Sequence, residues 1–178
     1  GEDFETLMQR LVLQPAGMTR STFAQPLPDD LASGNVAPAY EGDGSPVEGG
    51  WHTYPEQAAA GLWTTPTDYA RFVDALIKAM KGETGTGVSP EIAAAVTSAV
   101  SDGYGLGIGV EEKDGGTVLR HSGSNKGYKT YFEAWPERGD AVVVMTGAEA
   151  GFPLNADIVR TAKRIYGWPV GPQVVKAR

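Results

Sequence analysis

The segment from His121 to Tyr128 holds the residue types in this chain that are best suited to chemistry. It reads His121-Ser122-Gly123-Ser124-Asn125-Lys126-Gly127-Tyr128 and lies at the start of a predicted strand. An enzyme that attacks acyl compounds needs a group that handles protons, next to backbone N–H groups that can approach a developing oxyanion. The imidazole, the small hydroxyls and the two glycines of this octet meet both needs. The octet therefore predicts one wall of a site for acyl chemistry.

A nucleophile is what the sequence does not supply. No serine has a lysine three residues further along the chain, so the usual serine–lysine nucleophile pair is absent. The chain has no cysteine, which excludes disulfides and thiolate chemistry and leaves the redox compartment open. Two histidines without cysteine form no recognisable ligand cluster, so we expect neither a metal nor another cofactor.

Composition limits the class of protein. The 178 residues suggest one domain or most of one, and 41% hydrophobic residues can fill a core. The formal charge of −7 disfavours a nucleic-acid binder, and the basic residues near the end suit a solvated helix end and tail (Lys163, Arg164, Lys176 and Arg178). No apolar run reaches membrane-spanning length. The start at Gly1 looks like a cut, so we expect a targeting segment, if there is one, to lie upstream.

Helices dominate the first half of the predicted organisation. Apolar residues at helical spacing predict a helix over about residues 3–13, followed by a long loop region from Ala16 to Ala60. Aromatic residues in this loop are weaker candidates for a pocket (Trp51, His52 and Tyr54). The next helix has an N-cap at Thr65, a proline at Pro66, a capping-box residue at Asp68 and a stop at Gly82.

Strands dominate the second half. Alternating glycines over 103–110 predict a strand with one bare face, and Asp114-Gly115-Gly116 predicts a hairpin turn into a strand over 117–121. Further strands are predicted over 128–135 and 141–146, joined by a turn at 136–139. The run over 141–146 is apolar throughout, which is typical of a central strand buried on both faces. A last helix carries one apolar face (Leu154, Ile158, Ala162 and Ile165).

Five motifs, in order, resemble the serine β-lactamase-like family, which includes class C β-lactamases, D-alanyl-D-alanine carboxypeptidases and related esterases. The motifs are Leu13-Gln14-Pro15-Ala16-Gly17-Met18-Thr19, the helix entry over 58–72, Tyr104-Gly105-Leu106-Gly107, His121-Ser122-Gly123 and the hairpin over 136–146. His121-Ser122-Gly123 is similar to the third active-site motif of the family, which is His-x-Gly in many esterases and carboxypeptidases. Order and spacing match from residue 4 to about 168. Gly147 departs from the asparagine that usually follows the last of these motifs.

The resemblance implies a fold and a division of the chain. It implies the C-terminal part of a β-lactamase/transpeptidase-like α+β fold, with an antiparallel sheet and flanking helices. Residues 1–100 would form the helical and loop-rich part, and residues 101–178 the sheet with the C-terminal helix. The first two family motifs, Ser-x-x-Lys and Tyr-x-Asn or Ser-x-Asn, would precede Gly1. The spelling Ser33-Gly34-Asn35 follows the Gly-Met-Thr segment and is read as a coincidence.

The resemblance also implies roles for single residues. His121 would bind or polarise the substrate carboxylate or leaving group, and the Ser124 N–H would donate to the oxyanion. Four residues would line the substrate pocket (Ser122, Gly123, Asn125 and Tyr128). The whole enzyme would form and hydrolyse an acyl-enzyme on a small-molecule substrate, in the periplasm or outside the cell. This chain alone would be inactive.

Two alternatives stay open at this point. His121 could be an ordinary strand histidine that bonds to backbone, and Tyr128 could belong to the core. The chain could also be a non-catalytic fragment or module that associates with a complementary N-terminal half or with itself. The sequence does not distinguish ester, peptide and β-lactam substrates.

Overall fold

The computed structural model describes residues 1–113 and 116–168. The predicted hairpin turn at Asp114 and Gly115 and the basic residues Lys176 and Arg178 lie outside these ranges. The elements follow in the order α1 (Phe4–Met8), a π-helical turn (Gln9–Leu13), α2 (Asp29–Ala32), α3 (Gln57–Ala60), α4 (Pro66–Met80), α5 (Pro90–Thr97), β1 (Gly109–Lys113), β2 (Gly116–Asn125), β3 (Tyr128–Trp135), β4 (Asp140–Thr146) and α6 (Phe152–Tyr166). Among the described helices, none is long and apolar enough to cross a membrane.

The strands form one antiparallel sheet in the order β1-β2-β3-β4. Leu119 of β2 and Phe132 of β3 belong to the main hydrophobic core, together with Val73, Leu76 and Ile77 of α4. The opposite face of the sheet receives α6, whose Asn155 amide donates to the Lys129 carbonyl over 3.1 Å. Helices therefore lie on both faces of an antiparallel sheet, which confirms the predicted α+β class.

Helix α4 begins and ends as the sequence predicts. The Thr65 hydroxyl accepts a hydrogen bond from the Asp68 N–H over 3.2 Å, and Pro66 occupies the first turn. Gly82, just after the helix, has a φ of 82°, which is a conformation that favours glycine. Local signals are sufficient here because each one acts within a few residues of the helix end.

The prediction that Asp68 completes a capping box is wrong. A capping-box carboxylate reaches back to the N-cap N–H. The Asp68 side chain is instead fully buried and accepts hydrogen bonds from the Arg20 N–H over 2.6 Å and the Ser21 hydroxyl over 2.9 Å. It also pairs with Arg71. This carboxylate therefore fastens the segment around residue 20 to the start of α4.

The predicted strand over 103–110 is mostly a series of turns, and β1 begins only at Gly109. Gly103 and Gly107 have φ values of 76° and 84°, which a regular strand cannot contain. One part of the prediction holds, since a side chain at Gly105 would clash with the carbonyl oxygen of Val96. The bare position lets α5 approach closely.

The strand β4 is half-buried rather than buried on both faces. It pairs with β3, and no other described strand lies on its second edge. Val144 is buried, whereas Ala141 is exposed. The apolar run thus forms an edge strand within the described part of the chain, and the expectation of a second partner stays a prediction.

The apolar face of α6 points away from the sheet. Asn155 and Val159 are the buried residues of the helix, whereas Leu154 is 55% exposed and Ile165 is 68% exposed. The side of α6 that faces the sheet carries polar groups that bond to β3. For example, Lys163 Nζ lies 2.5 Å from the buried Glu133 carboxylate. A buried ion pair of this kind needs such contacts to offset its desolvation.

Candidate active site

The octet spans the second half of β2, a two-residue turn and the first residue of β3. The strand does not end at His121, as the sequence predicted, because β3 pairs with it as far as Asn125 opposite Tyr128. Lys126 and Gly127 form the turn, and Gly127 has a φ of 70°. The pairing partner lies beyond the turn, so the strand's true length depends on β3 and not on the residues of β2 alone.

One edge of β2 is open along the octet, in the sense that no described strand pairs with it there. Strand β1 pairs with β2 only as far as Gly109 opposite Arg120. Before Gly109, the chain turns away at Gly107, so no described strand covers the outer edge from His121 to Asn125. Backbone N–H and C=O groups on an open strand edge can bind an extended group of a ligand. This edge is the candidate active site.

The strand divides the predicted residues between the two faces of the sheet. Side chains alternate along a strand, so His121, Gly123 and Asn125 share the face of the main core, and Ser122 and Ser124 share the face of α6. His121 is exposed. A side chain at Gly123 would lie 2.5 Å from the Thr130 hydroxyl, which explains the glycine. The structure thus brings His121 and Gly123 together on one face but separates the two serine hydroxyls from them.

The long loop of the first half packs against the end of this hairpin. Asn125 Nδ2 donates to the Ala60 carbonyl over 2.9 Å, and the Tyr128 hydroxyl donates to the Ala37 carbonyl over 2.7 Å. The Lys126 N–H donates to the Tyr54 hydroxyl over 2.9 Å. Burial raises the pKa of Tyr128 above its ordinary value, so its hydroxyl stays protonated and remains a donor. These bonds position the candidate site residues. The Asn125 and Tyr128 side chains each use a hydrogen-bond donor in them.

Three aromatic side chains pack in a row at the same end of the hairpin. The rings of Trp51 and Trp63 lie 5.6 Å apart, and those of Trp63 and Tyr128 lie 6.0 Å apart, both edge to face. Such pairs contribute about 0.5–1.5 kcal/mol beyond their area burial. Tyr54 bonds to the turn, whereas His52 is exposed and lies 6.3 Å from the Tyr54 ring. The loop aromatics therefore hold the loop against the hairpin.

Two charged residues near the site were not identified from the sequence. Lys129 is buried in β3, and its Nζ lies 2.7 Å from a carboxylate oxygen of Glu149, which follows β4. The hydrogen bonds from Lys129 and from the Gly127 N–H hold the pKa of Glu149 below its ordinary range. The local signal for Lys129 was a lysine in a strand that is mostly aromatic and apolar.

Close packing explains the glycine at position 147, where the family pattern has an asparagine. A side chain there would clash with the carbonyl oxygen of Pro38. The chain after β4 therefore lies directly against the long loop. In the described part of the chain, no group of three His, Cys, Asp or Glu side chains could hold a metal ion.

The antiparallel sheet with helices on both faces matches part of the β-lactamase fold. The family model described as Beta-lactamase matches residues 1–163. The chain therefore belongs to the β-lactamase family. No curated protein sequence matches it.

Solved structures agree with this fold. The octameric penicillin-binding protein homologue from Pyrococcus abyssi is 23% identical with a TM-score of 0.71, over 93% of this chain and 38% of its own. The D-alanine carboxypeptidase AmpC from Burkholderia cenocepacia is 21% identical with a TM-score of 0.73, over 93% of this chain and 55% of its own. A class C β-lactamase is 17% identical with a TM-score of 0.71, over 96% of this chain and 53% of its own. The chain thus spans about half the length of these relatives or less.

Proposed function

We propose that this chain forms the C-terminal portion of a serine hydrolase that forms and then hydrolyses an acyl-enzyme. The observation that carries the proposal is the open edge of β2 from His121 to Asn125, which holds the His-Ser-Gly motif. The chain has no Ser-x-x-Lys and spans about half of its relatives, so the nucleophilic serine and its lysine would come from a segment outside this chain.

The residues of the edge receive distinct roles in this proposal. The carbonyl of an ester or amide substrate would lie along β2, where the Ser124 N–H donates one hydrogen bond to the oxyanion. The exposed imidazole of His121 binds or polarises the substrate carboxylate or the leaving group. Ser122, Gly123 and Asn125 line the site, and Tyr128 closes its end. The first step is acyl transfer to the serine and the second is hydrolysis by water.

A histidine in the third motif favours an esterase or carboxypeptidase over an efficient β-lactamase. His121 is exposed, so its imidazole is accessible to a substrate that arrives from solvent. The proposed substrate is a small acyl compound, and no cofactor is needed for this chemistry.

Hydrolysis of p-nitrophenyl esters and nitrocefin tests the proposal. The chain alone should form no stable acyl adduct by mass spectrometry, because it has no Ser-x-x-Lys. Combined with a complementary half that carries this motif, it should show a burst and turnover. The variant His121→Ala should then lower kcat by about a hundredfold. Arg120→Ala, one residue away on the other face, is the matched control and should change kcat little.

Three results would contradict the proposal. An acyl adduct on the chain alone would place a nucleophile within it. Equal kcat values for the His121→Ala and Arg120→Ala variants would remove His121 from the site. If the combined halves associate but hydrolyse nothing, the alternative of a non-catalytic module is favoured instead. The edge of β4 that no described strand covers would then be where the other half binds.

A further inference from the structure

The carboxylate of Glu149 contacts the octet directly, although it lies 22 residues beyond Gly127 in the chain. One of its oxygens accepts a hydrogen bond from the Gly127 N–H over 2.8 Å. The other accepts from Lys129 Nζ over 2.7 Å, and the same Nζ donates to the Asn125 carbonyl over 3.2 Å. One carboxylate therefore holds both sides of the turn between β2 and β3, directly at Gly127 and through Lys129 at Asn125.

Both residues of this contact, Lys129 and Glu149, are held in place by other interactions. The Lys129 side chain is only 5% exposed, so its ammonium group needs the partners that it finds here. Glu149 is itself fastened, because its N–H donates to the Tyr40 carbonyl over 2.8 Å. The neighbouring Lys126 is paired with Glu41 at 2.5 Å, and among the described residues it is Lys129 that forms the ion pair with Glu149.

The tip of the hairpin has no room to move towards the long loop. A side chain at Gly127 would lie 2.6 Å from Ala39 Cβ and 2.9 Å from Val47 Cγ2. The tip is therefore packed against Ala39 and Val47 and bonded to the Glu149 carboxylate through the Gly127 N–H. Charge-assisted hydrogen bonds to backbone N–H groups are among the stronger ones in proteins.

The outer edge of β2 depends on this tip. Between His121 and Asn125, the strand is supported by β3 alone among the described strands. An oxyanion donor must lie about 2.7–3.1 Å from the developing charge, and a misplacement of about 1 Å can lower a rate about a hundredfold. We propose that Glu149 is a positioning residue that fixes the hairpin tip and, through it, the Ser124 N–H at the open edge. This role rests on the proposed function.

Amide hydrogen exchange of this chain tests whether Glu149 holds the hairpin tip, and it needs no measurement of enzyme activity. In the Glu149→Ala variant, exchange at Gly127 should become about tenfold faster, while amides of α4 keep their rates. Glu41→Ala is the matched control, because it removes an ion pair from the same turn but no hydrogen bond to its backbone N–H groups. Unchanged exchange at Gly127 in Glu149→Ala, or an equal effect of Glu41→Ala, would overturn the inference.

Kinetics of the chain combined with its complementary half test the consequence for catalysis. Glu149→Ala should lower kcat about ten- to a hundredfold with KM within about threefold, since an oxyanion donor acts in the transition state. Glu149→Gln keeps an acceptor for Gly127 and should recover part of kcat, and Glu41→Ala should match the parent. A parent that hydrolyses nothing would refute the proposed function, and the positioning role with it. An active parent whose kcat is unaffected by Glu149→Ala would refute this inference alone.

Discussion

Replacement of Asp68 by alanine should destabilise the chain far more than the loss of a helix cap. The fully buried carboxylate accepts from the Arg20 N–H and the Ser21 hydroxyl, and both donors would lose this partner. A hydrogen bond to a charged partner contributes about 1.5–3 kcal/mol. The Ser21 hydroxyl keeps a contact of 2.7 Å with Thr64, so its share is the smaller one. Arg71 is 48% exposed and can be rehydrated, so its contribution is under about 1 kcal/mol.

The sum of these effects is about 3 kcal/mol of unfolding free energy. For a chain of this size, that corresponds to a fall of roughly 6–12 °C in Tm. A role limited to helix capping would predict typically about 1 kcal/mol, so the two interpretations give different results.

Urea unfolding followed by circular dichroism measures this difference. Asp74→Ala is the matched control on the same helix, since Asp74 pairs with Lys78 at 2.7 Å but both side chains are largely exposed. The control should lose less than about 0.5 kcal/mol. Asp68→Asn keeps one acceptor oxygen and should fall between the two. If Asp68→Ala were within 1 kcal/mol of Asp74→Ala at equal m-value, the buried network would not contribute as we have argued.

Three further predictions follow from other parts of the fold. Burial raises the pKa of Tyr69 to about 12, so the folded state holds a proton that the unfolded state releases near pH 10. Stability should therefore fall between pH 10 and 12, with a shallower fall in Tyr69→Phe; identical pH profiles would contradict this. Gly105→Ala should cost about 1–3 kcal/mol through its clash with Val96, whereas Gly42→Ala, which meets open space, should be nearly neutral by thermal unfolding. The chain alone should self-associate in sedimentation experiments through the uncovered edge of β4, and a monomer with strongly protected β4 amides would refute that.

The sequence by itself determined the features that depend on neighbours within a few residues. Thr65, Pro66 and Gly82 set the ends of α4, and the predicted strand over 128–135 matches β3 residue for residue. The order of the five motifs was sufficient to identify the family, because each motif keeps a local pattern of residue types. The absence of a Ser-x-x-Lys is likewise a property of the sequence alone.

Only the tertiary structure decided the contacts between residues that are far apart in the chain. Asp68 binds a backbone group 48 residues away, and Glu149 binds one 22 residues away. A local pattern cannot show which partner a buried carboxylate finds, because packing of the whole chain brings the partner into range. The same reason applies to β2, whose length past His121 depends on its pairing with β3, and to the apolar face of α6, which points away from the sheet.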